Sequence, residues 1–314
     1  MGFAALLSLS LLLSCRGLFQ PSFPQQCATV ETAASRPHVV LIMLDNMKFD
    51  AVIGNPVAPF LNRFIPEHAF LSNYYGSTFP SIGNYLMITG GEIVTNDNRY
   101  LGTVSGDNIV RQCCLHGVSW KSYLDGLPHA GYLGDAAYPY VRPHNPLSYY
   151  DDVFFSEQLS MNLVPLEQLF RDLENDALPS FSLIVPSQVN NMHDCPLDQR
   201  PCGVDPKVQA GDEFLQRVVP PILANPTFAQ NGLLIITTDH SWKGTTEHGG
   251  GHVIWVAAGP LAKDAYRSDD FYQHPSTLRL ISDVLRIGRP NAAADAPDMS
   301  EVLVTPPQAI PTGP

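Results

Sequence analysis

Four short apolar runs punctuate the chain: VVLIMLD at 39–45, FSLIVPS at 181–187, LLIITTD at 233–239 and VIWVAAG at 253–259. Each is continuous rather than alternating, the pattern of a strand covered on both faces. Between them lie stretches with helical periodicity, NYLMIT at 84–89, PLEQLFRDLEN at 165–175 and DEFLQRVVPPILA at 212–224. Strands alternating with helices predict an α/β fold with a mostly parallel central sheet and helices on both faces. No internal repeat competes with that reading.

The two ends of the chain carry other patterns. The apolar run Phe3–Leu13 is too short to cross a bilayer and has the length of a signal-peptide core, so residues 1–20 read as a signal peptide. No Lys or Arg precedes the run, and a buried strand or helix is the competing reading. Export predicts a secreted or periplasmic protein. Leu12-Leu13-Ser14-Cys15 also resembles a bacterial lipoprotein cleavage box, which would anchor the exported form through a lipid on Cys15. Residues 21–36 read as a linker, 37–303 as the ordered domain, and 304–314, VTPPQAIPTGP, as a disordered tail. No later stretch is long and apolar enough for a transmembrane helix.

Composition narrows the function. Of 314 residues, 45% are hydrophobic and 15% charged, enough for a sizeable core. A formal net charge of −12 repels polyphosphate backbones and argues against nucleic acid as a partner. It leaves room for a small phosphorylated substrate, because a bound cation reverses the local field. Cys195 and Cys202 bracket the short loop CPLDQRPC and form the expected disulfide. The adjacent Cys113 and Cys114 stay unassigned, since Cys27 can join either. The one Asn-x-Thr triplet, Asn225-Pro-Thr227, is disqualified as a glycosylation site by its proline.

In an open α/β sheet, ligands gather outside the carboxyl ends of the strands. The first run ends in Asp45 and Asn46. The second leads into Asn190, Asn191, His193 and Asp194, and the third into Asp239 and His240, followed by His248 and His252. Each has an ordinary alternative as a turn, cap or loop residue. Taken together, hard oxygen donors and imidazoles converging from three strands predict a divalent metal ion, because the carboxylates would otherwise repel one another. Such an ion is a Lewis acid suited to phosphoryl oxygens and activates a coordinated hydroxyl. The segment NYYGSTFPSIGNYLMITGG at 73–91 offers Ser77, Thr78 and Ser81. Ser81 stands at a predicted helix N-terminus, where free N–H groups favour an anion, although most serines there only cap the helix. Asn84 follows one turn later on the same face and is a candidate donor to a phosphate oxygen.

The ordered set HVVLIMLDNMKFD, NYYGSTFPSIGNYL, SWKSYLDGLP, YVRPHNPLSYY, SFSLIVPSQVNNMHD, LLIITTDHSW, HVIWVAAGP and HPSTLRLISDVL resembles the acid phosphatase/phospholipase C phosphoesterase family of the alkaline phosphatase superfamily. The resemblance implies an alkaline-phosphatase-like fold and makes 37–303 a phosphoesterase catalytic domain. It matches the family's first metal pair to Asp45-Asn46, its nucleophile segment to Pro80-Ser81-Ile82-Gly83-Asn84-Tyr85, and its late metal pair to Asp239-His240. The nucleophile then falls on Ser81. His144 and His193 match family histidines that bind phosphate or donate protons. Here Asp45 replaces the usual glutamate, Asn191 an aspartate, Gly83 a proline and Phe79 a common histidine.

Residues and resemblance together predict a metal-dependent acid-phosphatase-like phosphomonoesterase. Asp45, Asn46, Ser81, Asp239 and His240 hold a divalent cation; Ser81 attacks phosphorus; His193 or His144 protonates the leaving oxygen; Asn84 and, more weakly, His252 contact the substrate. The alternatives are a phospholipase C-like phosphodiesterase acting on a lipid substrate, and a non-catalytic descendant of the fold that binds phosphate or a partner.

Overall fold

The computed structural model describes residues 36–306. The signal-peptide and lipidation readings, Cys15 and Cys27, and all but the first three residues of the 304–314 tail lie outside the described residues. Ten strands follow in chain order: β1 His38–Leu44, β2 Ala69–Leu71, β3 Tyr74–Tyr75, β4 Trp120–Leu124, β5 Leu163–Pro165, β6 Phe181–Val185, β7 Gly232–Thr238, β8 Trp255–Ala258, β9 Arg267–Ser268 and β10 Tyr272–Gln273. Eight of them form one sheet in the order β5-β4-β6-β1-β7-β8-β2-β9. The pairings from β5 to β7 are parallel, β8 runs antiparallel to both β7 and β2, and β9 is parallel to β2. β3 and β10 form a separate parallel pair.

The continuous apolar runs explain the centre of this sheet. All seven residues of β1 are buried. Val39, Leu41 and Met43 enter one hydrophobic core, while Val40, Ile42 and Leu44 enter another on the opposite face. This is the period of two that a doubly covered strand must show. The helices Ser81–Gly90 and His274–Leu285 pack on the first face, Pro59–Glu67 and Asp205–Ala224 on the second. The fourth apolar run departs from the parallel majority because β8 returns directly from β7 through the 239–254 loop, which brings it back antiparallel. Cys195 and Cys202 are bonded, as expected, and Cys113 is buried and free. Among the described residues, no helix is long and apolar enough to cross a membrane.

Candidate active site

Three strand ends meet at the carboxyl edge of the sheet and are tied together by main-chain hydrogen bonds. The N–H of Asp45 donates to Asn191 O at 2.9 Å, and that of Asp239 donates to Leu44 O at 3.0 Å. Asp239 Oδ1 accepts from the N–H groups of Asn46 (3.0 Å) and His240 (2.6 Å). Both carboxylates are fully buried. Burial, reinforced by the Asp239 charge, pushes the Asp45 carboxyl well above the usual range. Burial acts the same way on Asp239, but the neighbouring His240 and the Asn46 N–H outweigh it and hold that carboxyl low.

Ser81 opens the helix Ser81–Gly90, behind Pro80 at the cap position, so its hydroxyl has no capping role. Ser81 Oγ instead lies 3.3 Å from Asp45 Oδ1 and 3.2 Å from His240 Nε2. His240 Nδ1 donates to Ser241 O at 2.5 Å, which turns Nε2 towards the serine. Phe79 packs edge-on against the His240 ring at 4.7 Å. The other two hydroxyls of the segment point elsewhere: Thr78 Oγ1 donates to Asn96 Oδ1, and Ser77 Oγ is buried without a partner.

His144 joins the cluster from the short 3-10 turn Arg142–His144, with Nε2 3.4 Å from Asp45 Oδ2. Asn191 sets its tautomer. Asn191 Oδ1 accepts from the His193 N–H at 2.9 Å, so its Nδ2 is the end that faces His144 Nδ1 at 3.3 Å. Nδ1 therefore accepts and Nε2 carries the proton. Burial pushes the His144 pKa down to about 3, so the ring is neutral in mildly acidic and neutral solution. His193 is different: its side chain is 38% exposed, and Nδ1 bonds Asp194 Oδ1 at 2.7 Å. Asp194 is itself held by Tyr138 and Arg200.

Two residues expected at the substrate are engaged in holding structure. Asn84 Oδ1 accepts from the N–H groups of Ser77 and Thr78, and Nδ2 donates to Thr78 O, so its amide fixes the 77–80 loop rather than facing the cluster. His252 bonds Ser72 O through Nε2 and stacks between Phe49 and Tyr75. Asn46 reaches the carboxylates through its main-chain N–H; its side chain lines a neighbouring cleft.

Two buried residues escaped the sequence reading. Tyr85 stacks on the His144 ring at 4.9 Å, and its hydroxyl is buried without a partner; burial and the charges of Asp239 and Asp45 push its pKa well up. Its position four residues after Ser81, on the same helix face, was the available signal. His274 Nε2 donates to Asp239 O at 2.6 Å. Trp255 Nε1 can only donate and does so to Thr277 Oγ1, which sends the chain of hydroxyl protons through Tyr74 to His274 Nδ1. Nothing in the spacing of Trp255, Thr277 and Tyr74 announced this chain.

The residues fit a divalent cation. Asp45 Oδ2 and Asp239 Oδ2 are buried carboxylate oxygens with no hydrogen-bond partner. Ligand atoms of Asp45, His144 and Asp239 lie within 4.8 Å of one another. His240 Nε2 is 3.5 Å from Asp239 Oδ2 and 3.7 Å from Asp45 Oδ1. The buried group Asp45, His144 and Asp239, with His240 and Ser81 beside it, offers the donors such an ion takes.

A mostly parallel sheet carrying this cluster at its carboxyl edge has the architecture of the alkaline phosphatase superfamily. The fold superposes on a protein of that superfamily from Vibrio parahaemolyticus with a TM-score of 0.58 and 12% identity, over 88% of this chain and 74% of that one. It also superposes on the lipoteichoic acid synthase LtaP from Listeria monocytogenes, with a TM-score of 0.59 and 10% identity over 87% and 78% of the two chains. Within that fold the chain belongs to the phosphoesterase family, whose model matches residues 55–288. A probable acid phosphatase from Kluyveromyces lactis is 27% identical over 85% of this chain and 62% of its own length. A phosphatidylinositol-3-phosphatase from Mycobacterium tuberculosis is 27% identical over 69% of this chain and 67% of its own. The chain thus spans about three fifths of the length of the curated relatives it matches.

Proposed function

We propose that this chain is a metal-dependent phosphoester hydrolase, an acid-phosphatase-like phosphomonoesterase with Ser81 as nucleophile. The observation that carries the reading is the buried Ser81 hydroxyl at a helix N-terminus, 3.2–3.3 Å from His240 and Asp45 and beside two unpartnered carboxylate oxygens. Asp45, Asp239, His240 and Ser81 would hold a divalent cation, which would lower the hydroxyl pKa and offset phosphoryl charge. Ser81 Oγ attacks phosphorus in line, and its proton passes to solvent. The Ser81–phosphorus bond forms as the bond to the leaving oxygen breaks. The helix N-terminus and the His144 Nε2–H stabilise the anionic phosphoryl oxygens. His193, exposed and oriented by Asp194, supplies the proton to the leaving oxygen; the neutral His144 has none to give at these pH values. Water, deprotonated by His193, then hydrolyses the phosphoserine and restores both groups.

The test is release of p-nitrophenol from p-nitrophenyl phosphate and from p-nitrophenyl phosphocholine, with and without EDTA. Turnover of the monoester should vanish with chelator and return with a divalent cation, and Ser81→Ala should lower kcat by about three orders of magnitude or more. Chelator-resistant turnover or an active Ser81→Ala protein overturns the mechanism. Preferential cleavage of the choline diester would move the assignment to a phospholipase C-like phosphodiesterase.

A further inference from the structure

Lysine is scarce and unevenly placed in this chain. Of five lysines, Lys121 pairs with Asp172 at 2.6 Å and Lys263 lies over the Tyr266 ring. The other three, Lys48, Lys207 and Lys243, gather at one cleft beside the candidate active site. This cleft, of about 390 Å³, is lined by Asn46, Met47, Met192, Trp242, Lys207 and Lys243, with the 202–204 loop at its side. Met47 and Met192 are buried and give it an apolar wall, and the half-buried Trp242 indole forms another.

Two contacts join the cleft to the reacting centre. Asn46 directly follows Asp45, and its N–H rests on Asp239 Oδ1 at 3.0 Å. Lys207 Nζ donates to His193 O at 2.7 Å, which sets an ammonium beside the residue assigned to the leaving oxygen. Lys48 Nζ stands 5.1 Å from the Trp242 ring centroid. Among the described residues, no carboxylate lines the cleft. In a chain of net charge −12, Lys207 and Lys243 on the lining and Lys48 over Trp242 give the cleft a positive side, and ammonium groups so placed attract anions.

We propose that this cleft binds the leaving group and selects substrates whose leaving group carries a second phosphate, on a body that lies against Trp242. The proposal rests on Ser81 being the centre of phosphoester hydrolysis. Two sources offer that chemistry, a soluble sugar bisphosphate and a phosphoinositide, in which the second phosphate is the diester linking the headgroup to lipid.

Glucose 6-phosphate and glucose 1,6-bisphosphate form a matched pair that differs by one phosphate. The wild-type protein with its divalent cation should hydrolyse the bisphosphate with kcat/KM about tenfold higher, equivalent to 1.4 kcal/mol, and the difference should reside in KM. In Lys207→Met/Lys243→Met the ratio should fall to within about twofold of unity. Lys243→Met alone, at an exposed position, should move it the same way, and the remote Lys263→Met should keep it. A wild-type ratio of one, or a ratio retained in the double variant, overturns the proposal. Dioctanoyl phosphatidylinositol 3-phosphate against inositol 1,3-bisphosphate separates the sources: faster lipid turnover assigns the cleft to phosphoinositides, equal turnover to soluble bisphosphates. If the wild type hydrolyses none of these, binding decides the cleft, and the hydrolase reading falls only if p-nitrophenyl phosphate also stays intact. Trp120 and Trp255 are buried away from the cleft, so a change in tryptophan fluorescence on ligand addition reports Trp242. Saturable quenching by glucose 1,6-bisphosphate in Ser81→Ala, weakened about tenfold by the double lysine change, supports the cleft; its absence overturns it.

Discussion

Ser81 differs from Ser77 and Thr78 only in what its hydroxyl faces, and that difference rests on two neighbours, Asp45 and His240. Residue-scale chemistry around it is set by tautomers. Asn191 donates to His144 Nδ1 and so leaves Nε2 protonated. Asn191→Asp would reverse that bond, protonate Nδ1 and free Nε2 to coordinate. The expected result is about tenfold tighter binding of Zn²⁺, measured by competition with a chromophoric chelator; unchanged affinity would refute the tautomer assignment. His274 offers a pH test. Burial lowers its pKa to about 4 from an unfolded value of 6.5. Between those values the unfolded chain binds the extra proton, so stability present above pH 6.5 is lost as pH falls towards 4. The slope approaches about 1.4 kcal/mol per pH unit for this one group. Urea midpoints between pH 4.5 and 6.5 should fall less steeply in His274→Gln than in the wild type.

At the scale of the element, the helix Ser81–Gly90 and the loop before it work as one unit. Asn84 reaches back to three main-chain groups of that loop, and Ile82 N–H donates to Asn98 Oδ1. Gly83 is explained by the same packing. A β-carbon there would overlap Asn96 Oδ1 and come within 2.6 Å of Thr78 Cγ2, so the 95–98 segment can lie against the helix start only beside a glycine. Gly83→Ala should therefore destabilise the protein by about 1–3 kcal/mol despite alanine's better helix propensity, as read by thermal denaturation. Asn84→Ala should lower both kcat and the melting temperature, because it leaves three main-chain groups of the loop unpaired and loosens the placement of Ser81. A Gly83→Ala protein as stable as wild type would show that this loop yields.

For the whole molecule, β1 is the shared wall of two cores. Leu41 packs on one face and Ile42 on the other. Each truncated to alanine should cost about 2–5 kcal/mol. If 37–303 is a single domain, both variants should unfold in one calorimetric transition; two separated transitions would divide it. The Cys195–Cys202 bridge closes a loop beside Asp194 and Lys207 rather than a core. Its reduction should remove about 2–3 kcal/mol by the chain-entropy estimate and act mainly on substrate binding.

The sequence by itself determined the layered α/β architecture and the edge where chemistry gathers. Continuous apolar runs cannot be satisfied except as strands covered on both faces, and the polar residues that end them then have one place to go. It also pointed to Asp45, Asp239 and His240 from their strand ends and to Ser81 from its family resemblance, and the fold sets each within 3.7 Å of another. Tertiary structure alone decided the rest. β8 turned antiparallel because a strand's direction depends on its connection, not its composition. Asn84 and His252 became structural, and Tyr85, His274 and the lysine cleft became visible. Hydrogen-bond partners, tautomers and field depend on distances between residues far apart in the chain, and periodicity carries no information about those distances.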